Sequence, residues 1–131
     1  MSLNQEEREI LVDLELERAQ RIFGEIDIYI QNSLWSTLAN RMYYSAFHAV
    51  TALLIRNHMH AGTHLGVSVL LNKHFIKEGI ISKEEGNLFA KLEMLRESGD
   101  YNCYVDTSFE ELQPLIEPLR AFIKHIETLV K

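Results

Sequence analysis

The chain has 131 residues, of which 47% are hydrophobic, and a formal net charge of −6 at pH 7. That length suits one ordinary domain over residues 1–131, and the acidic balance argues at first sight against nucleic acid. The longest apolar runs fall far short of the roughly 20 residues that cross a bilayer. The start, MSLNQEEREI, lacks the pattern of a secretory signal, and a single cysteine, Cys103, allows no intrachain disulfide. These features predict a cytoplasmic protein.

Charge is unevenly distributed along the chain. Residues 1–30 hold eight acids and three bases, and residues 78–131 hold eleven acids and six bases, so each segment carries −5. Residues 31–77 contain no Asp or Glu and five of the six histidines. The four cations of this segment are Arg41, Arg56, Lys73 and Lys77. The pattern indicates either a local anion-binding surface or a pair of central, buried helices that have no room for carboxylates.

Helices are predicted throughout, because strict alternation of apolar and polar residues is hard to find and only two prolines occur. The first helix runs from about residue 5 to residue 29, and Asn32-Ser33 supplies a break. The second covers about 34–58. A loop at 61–63 precedes the third, which is closed by Gly79 in the C′ position.

The second half of the chain contains two marked helix starts. Residues 82–85 form a capping box for a fourth helix to about Glu97, and residues 106–111 hold two overlapping capping boxes for a last helix. Proline is tolerated only in a first turn, so Pro114 and Pro118 are expected to confine regular helix to the residues after them. The predicted fold is all-α, a four- to five-helix up-and-down bundle.

The second helix has two apolar faces separated by a polar strip. One face contains Trp35, Leu38, Met42, Ala46, Ala49 and Leu53. The other contains Tyr43, Phe47, Val50 and Leu54. A helix that is apolar on two sides has more surface to bury than a small bundle offers, so the second face is predicted to pack on another copy in a homodimer. The polar strip consists of Thr37, Arg41, Tyr44, His48 and Thr51.

Four segments of the chain carry a family resemblance. Arg41-x6-His48 lies within NRMYYSAFHAV and is followed by THLGV at 63–67, HFIKEG at 74–79 and LRESGDY at 95–101. In this order, over nearly the whole chain, they resemble the HEPN domain (higher eukaryotes and prokaryotes nucleotide-binding). The resemblance implies a small helical bundle, usually dimeric, commonly encoded beside a minimal nucleotidyltransferase in a toxin–antitoxin arrangement. Members with an intact motif are often metal-independent ribonucleases whose paired Arg and His line a cleft between protomers.

The chemistry of these side chains suits RNA. Arg41 and His48 are seven residues apart, about two turns, so they project from the same side of the helix. His48 could take a proton from a ribose 2′-hydroxyl or give one to the leaving oxygen, while Arg41 holds the phosphate charge. The product would carry a 2′,3′-cyclic phosphate, and no metal or other cofactor is needed. Candidate supporting residues are Asn40, Tyr44, Arg96, Asp100 and Tyr101.

Two other roles for the same residues stay open. Catalytic members often carry a polar residue directly after the arginine, where this chain has Met42, and a cleft without catalysis would bind a nucleotide or RNA only. In the structural alternative Arg41 pairs with a buried acid such as Asp100, and the chain is a dimeric interaction module. The triplet His58, His60 and His64 resembles a metal cluster, but no carboxylate or cysteine lies nearby in the sequence, so a solvated loop is predicted.

Overall fold

The computed structural model describes residues 2–101 and 107–131, and the side chains of residues 98–101 are outside the description. The helices are α1 (Gln5–Gly24), α2 (Ile26–Gln31), α3 (Trp35–Arg56), α4 (His64–Leu71), α5 (Lys83–Tyr101) and α6 (Phe109–Val130), with a π-helical turn at Asn72–Ile76. These ranges contain no strand, which confirms the all-α prediction. Across the same residues, no helix has the length and apolar character needed to span a membrane.

Helix α3 lies at the centre of the bundle and packs against α1, α5 and α6. Its last turn meets the start of α1, where Nη1 of Arg8 donates to the carbonyl of Ile55 at 2.8 Å. Its middle meets the end of α1, where Oγ of Ser45 donates to the carbonyl of Ala19 at 3.0 Å. Helices α1 and α3 are therefore antiparallel. The buried Arg8 also supplies a donor at a helix end, where carbonyls lack their i+4 partners.

The start of α5 has the capping box that the sequence predicts. Oγ of Ser82 accepts from the backbone N–H of Glu85 at 3.0 Å, and the Glu85 carboxylate accepts from the N–H of Ser82 at 2.9 Å. The same carboxylate lies 2.7 Å from Nδ1 of His125 near the end of α6. Farther along, the rings of Phe89 and Phe122 face each other. Helices α5 and α6 are therefore antiparallel, which confirms the up-and-down arrangement.

The first helix ends earlier than its apolar periodicity predicts. It stops at Gly24, and a separate short helix continues from Ile26. The backbone N–H of Glu25 bonds to the carbonyls of Ile22 and Phe23, which tightens the last turn instead of extending it. Glycine is a poor helix former, and this explains why the chain breaks there.

The last helix is longer than its prolines predict. It begins at Phe109 and contains both Pro114 and Pro118, so the expectation that regular helix starts after them is wrong. The two prolines are four residues apart on the exposed side of α6, where water can satisfy the carbonyls that lose an N–H partner. The predicted capping boxes do not form either. Ser108 is the N-cap but makes no side-chain cap bond, and the buried hydroxyl of Thr107 has no partner among the described residues.

The second apolar face of α3 is buried by its own chain. Tyr43, Val50 and Leu54 are at most 2% exposed. The ring of Tyr43 stacks on Phe89 of α5, and that of Phe47 lies against α4. The inference that this face needs a second copy is therefore wrong, because α3 packs against α1, α4, α5 and α6, and these helices of the same chain cover both apolar faces. A homodimer remains a prediction on other grounds.

Candidate functional site

A carboxylate of α1 holds the imidazole of His48. Nδ1 of His48 lies 2.6 Å from Oε2 of Glu15, and the two side chains are only 21% and 14% exposed. An ionised carboxylate can only accept, so Nδ1 carries the proton and Nε2 is left for a substrate. Glu15 is not part of the motif. The sequence could have indicated Glu15 only as an acidic residue on the core-facing side of α1, between the buried Val12 and Ala19.

The Glu15 carboxylate stays ionised in this setting. Burial raises its pKa, but the hydrogen bond and charge of His48 and the nearby Arg18 outweigh burial, so the pKa lies below its ordinary value of 4.5. Nη1 of Arg18 is 2.8 Å from Oε1 of Glu15. A carboxylate that is charged at neutral pH stabilises the imidazolium formed when His48 takes a proton.

Arg41 keeps part of its guanidinium available. Its Nε and Nη2 donate to Oδ1 of Asn40 at 3.1 and 3.0 Å, and its guanidinium carbon lies 5.5 Å from the ring centroid of Tyr44. Over residues 2–97 and 107–131, no carboxylate forms an ion pair with Arg41. Asp100, the acid proposed for the structural alternative, has its side chain outside the described residues. The planar fork of a half-buried arginine is suited to a phosphate.

The ring of Tyr44 lies close to the imidazole of His48 and to two guanidinium groups. Its centroid is 6.4 Å from that of His48 and 5.8 Å from the guanidinium carbon of Arg96. Arg96 belongs to α5 and also lies 5.1 Å from the ring of Tyr43. Two guanidinium groups from different helices therefore flank one aromatic ring, and His48 lies beside it.

A second imidazole lies at the same aromatic cluster. Nδ1 of His64, the first residue of α4, is 2.7 Å from the hydroxyl of Tyr43, and that hydroxyl donates to Oε2 of Glu93 at 3.1 Å. The His64 ring lies 4.7 Å from the ring of Phe47. Burial and then the charge of Glu93 raise the pKa of Tyr43, so its phenol stays protonated. The motif does not predict a role for His64 or Glu93.

A cavity of about 230 Å³ adjoins His48 and Glu15. Its walls include Phe47, Thr51 and Val67, and it lies between α1, α3 and α4. Pockets for drug-sized ligands usually occupy about 300–1,000 Å³. Only a small group such as one nucleobase therefore fits beside the imidazole.

The comparisons with known proteins agree with this arrangement of helices. The HEPN domain family matches residues 12–129. The chain belongs to the HEPN domain family. A UPF0332 protein of Thermotoga maritima is 28% identical to this HEPN domain over 125 residues, 95% of each chain. A protein of Methanocaldococcus jannaschii named "Putative toxin" is 24% identical over 108 residues, which are 82% of this chain and 74% of the relative.

Five of the predicted site residues meet in the HEPN domain. Arg41, His48 and Arg96 lie around the ring of Tyr44, and Asn40 binds the guanidinium of Arg41. The side chains of Asp100 and Tyr101 lie outside the described residues.

Two residues that the sequence left open have clear positions. Met42, which follows the arginine, is fully buried in the core, so the polar neighbour of Arg41 is Asn40 on its other side. His64 is bonded to Tyr43. In the part of the chain that the structure describes, no three His, Cys, Asp or Glu side chains are placed to hold a metal ion.

Proposed function

We propose that this HEPN domain binds single-stranded RNA and cleaves it without a metal ion. The observation that carries the proposal is the bond between His48 and Glu15, because it gives the imidazole a fixed tautomer and a charged partner. The imidazole lies 6.4 Å from the ring of Tyr44, which Arg41 also contacts. A histidine in such a pair is equipped to move protons near neutral pH. The proposed site has a base, a phosphate-binding arginine and an aromatic ring.

The reaction requires the ribose 2′-hydroxyl. Nε2 of His48 takes the proton of that hydroxyl, and the 2′-oxygen attacks the phosphorus. The bond between phosphorus and the 5′-oxygen breaks, its electron pair leaves on that oxygen, and a 2′,3′-cyclic phosphate remains. Glu15 stabilises the resulting imidazolium, and Arg41 binds the charge that grows on the phosphate oxygens. The substrate is RNA because DNA has no 2′-hydroxyl. A single strand is favoured because a base must leave its stack to reach the small cavity beside His48.

The cellular role that we propose is that of a toxin. Support comes from the relative of Methanocaldococcus jannaschii named "Putative toxin" and from the family resemblance, which implies a minimal nucleotidyltransferase as partner and a homodimer as the assembly. The net charge of −6 limits RNA contact to a local patch around Arg41. Affinity for RNA is therefore expected to depend on few phosphate contacts.

The test is incubation of the purified protein with tRNA and messenger RNA in the presence of EDTA. We expect fragments with 2′,3′-cyclic phosphate ends, and we expect a His48→Ala preparation, purified in the same way, to yield none. Intact RNA with the wild-type protein would exclude this activity. Equal cleavage by the His48→Ala preparation would assign the activity to a contaminant.

A second candidate is a non-catalytic interaction module. The observation that favours it is that the same contacts join helices: Glu15 and His48 link α1 to α3, and Arg96 links α5 to α3. In that case the His48→Ala and Arg41→Ala variants would bind RNA as the wild type does and unfold at a lower temperature. A binding titration and a thermal melt on the same samples separate the two candidates.

A further inference from the structure

Two histidines of this domain have the same arrangement of partners. Each imidazole is linked to a carboxylate through Nδ1. Nδ1 of His48 contacts Glu15 directly. Nδ1 of His64 contacts the hydroxyl of Tyr43, and that hydroxyl is bonded to Glu93. Both rings pack on the same residue, Phe47, with centroids 5.8 Å from it for His48 and 4.7 Å for His64. The second histidine has no part in the reaction as described above.

Donor and acceptor counting fixes the tautomer of His64. The hydroxyl of Tyr43 has one proton, and it donates that proton to Glu93. The hydroxyl can therefore only accept from His64, so Nδ1 of His64 is the donor. Nε2 is then the nitrogen left for a substrate, as in His48, and it carries a proton to donate only in the imidazolium form of the ring. Glu93 already accepts the hydrogen bond that the Tyr43 hydroxyl donates. The buried tyrosine therefore does not need His64 as a hydrogen-bond acceptor.

His64 lies at the capped start of a helix, close to the proposed phosphate site. His64 is the first residue of α4, and Thr63 caps that helix by accepting from the N–H of Gly66 at 2.9 Å. The centroid of the His64 ring lies 5.7 Å from that of Tyr44, and the ring of Tyr44 is flanked by Arg41 and Arg96. Tyr44 is thus within contact range of both imidazoles and both guanidinium groups.

We infer that His64 is the general acid of the RNA cleavage proposed above, on which this inference rests. His48 removes the 2′-hydroxyl proton, and the 2′-oxygen forms its bond to phosphorus. The bond between phosphorus and the 5′-oxygen breaks, the electron pair stays on that oxygen, and the oxygen takes the proton from Nε2 of His64. His48 begins neutral and ends protonated, and His64 begins protonated and ends neutral, so the two proton transfers leave the total number of protons unchanged.

The partners of the two histidines support this division of roles. Glu15 is bonded directly to His48, so its negative charge stabilises the imidazolium that forms when a base takes a proton. His64 is bonded to a neutral phenol, and the carboxylate of Glu93 is one bond farther away. The phenol therefore places no negative charge in direct contact with the His64 ring. An acid and a base with different environments are the pattern expected for proton transfer at two oxygens.

The test compares two substrates that differ in their leaving group. One is a short single-stranded RNA, whose 5′-oxygen must be protonated, and the other is uridine 3′-(4-nitrophenyl phosphate), whose nitrophenolate leaves without a proton. We expect His64→Asn to slow RNA cleavage on the order of 10²- to 10⁴-fold. We expect the same variant to cleave the nitrophenyl ester within a few-fold of the wild-type rate. His48→Asn should lose activity on both substrates.

Asparagine is chosen because its amide can still donate to the hydroxyl of Tyr43. The matched control is His58→Asn: His58 is exposed and has a φ of 62°, a left-handed conformation that asparagine tolerates. This control should cleave both substrates as the wild type does. A thermal melt of each variant reports whether it is folded.

Several outcomes would overturn the inference. If His64→Asn cleaves RNA as fast as the wild type, His64 is not the acid, although the proposed ribonuclease function stands. If that variant loses activity on both substrates, His64 is a base or a structural residue. If the wild-type protein cleaves neither substrate, the proposed function fails and the role of His64 fails with it.

Discussion

Nδ1 of His48 lies 2.6 Å from Oε2 of Glu15, a contact between residues 33 positions apart in the sequence. It joins the polar strip of the central helix to the first helix of the bundle. In the function proposed for this domain, Arg41 binds a phosphate and the imidazole oriented by Glu15 moves a proton. Variants of Glu15 and Arg41 measure these two roles separately.

Replacing Glu15 by Gln tests the carboxylate. The amide keeps the size of the side chain but removes the charge that stabilises a protonated His48. We expect RNA cleavage to fall on the order of 10- to 100-fold or more, while RNA affinity is unchanged. Glu17→Gln, an exposed change on the same helix, is the control and should leave cleavage as it is. Equal rates for both variants would show that Glu15 has no part in the reaction.

Replacing Arg41 by Ala tests the phosphate contact. We expect weaker RNA binding and a shallower dependence of log affinity on log salt concentration. The magnitude of that slope should fall by about one, because one phosphate contact is lost. Lys124→Ala removes one positive charge in the groove between α1 and α6, and it serves as the control. Filter binding at several salt concentrations gives the slopes. An unchanged slope for Arg41→Ala would place the RNA elsewhere.

Acid should destabilise the fold through two carboxyls. For Glu85, burial raises the pKa, but bonds from the Ser82 backbone and from His125 outweigh burial, and the net pKa is lowered, as it is for Glu15. Both groups bind fewer protons in the folded than in the unfolded chain. Their contribution to stability is therefore complete above the ordinary pKa of 4.5 and is lost as pH falls through the lower folded values.

Urea unfolding at neutral pH and at about pH 3 checks this expectation for the wild type and for Glu85→Gln. The wild type should lose more of its free energy of unfolding between these conditions than the variant does. The same loss in both proteins would mean that Glu85 does not contribute to acid sensitivity.

Two glycines should respond to alanine in opposite directions. Gly79 has a φ of 75°, and a methyl group added at either Gly79 or Gly24 would have no other atom within 4 Å. Gly79→Ala should destabilise by about 1 kcal/mol because L side chains rarely adopt that conformation. Gly24→Ala, in the last turn of α1, should stabilise by about 0.5–1 kcal/mol through helix propensity. In urea unfolding, the midpoint of Gly79→Ala should lie below that of the wild type, and the midpoint of Gly24→Ala should lie above it.

Local signals were sufficient for most of the helices. The capping box at Ser82 forms as predicted, and Gly79 has the positive φ expected after a helical segment. Both depend on residues within one turn. The prolines of α6 are misleading as local signals. How much they destabilise the helix depends on whether the carbonyls that lose an N–H partner face water, and this depends on which side of α6 meets the core.

The sequence by itself determined the family, the helical class and the placing of Arg41, Tyr44 and His48 on one strip, since helical periodicity puts residues three, four and seven apart on one side. Only the tertiary structure decided that Glu15 meets His48, that Glu93 reaches Tyr43 over 50 positions, and that the second apolar face is covered by the same chain. The physical reason is that contacts between helices depend on their rotation and register. Packing of the whole core sets both, and no local pattern contains them.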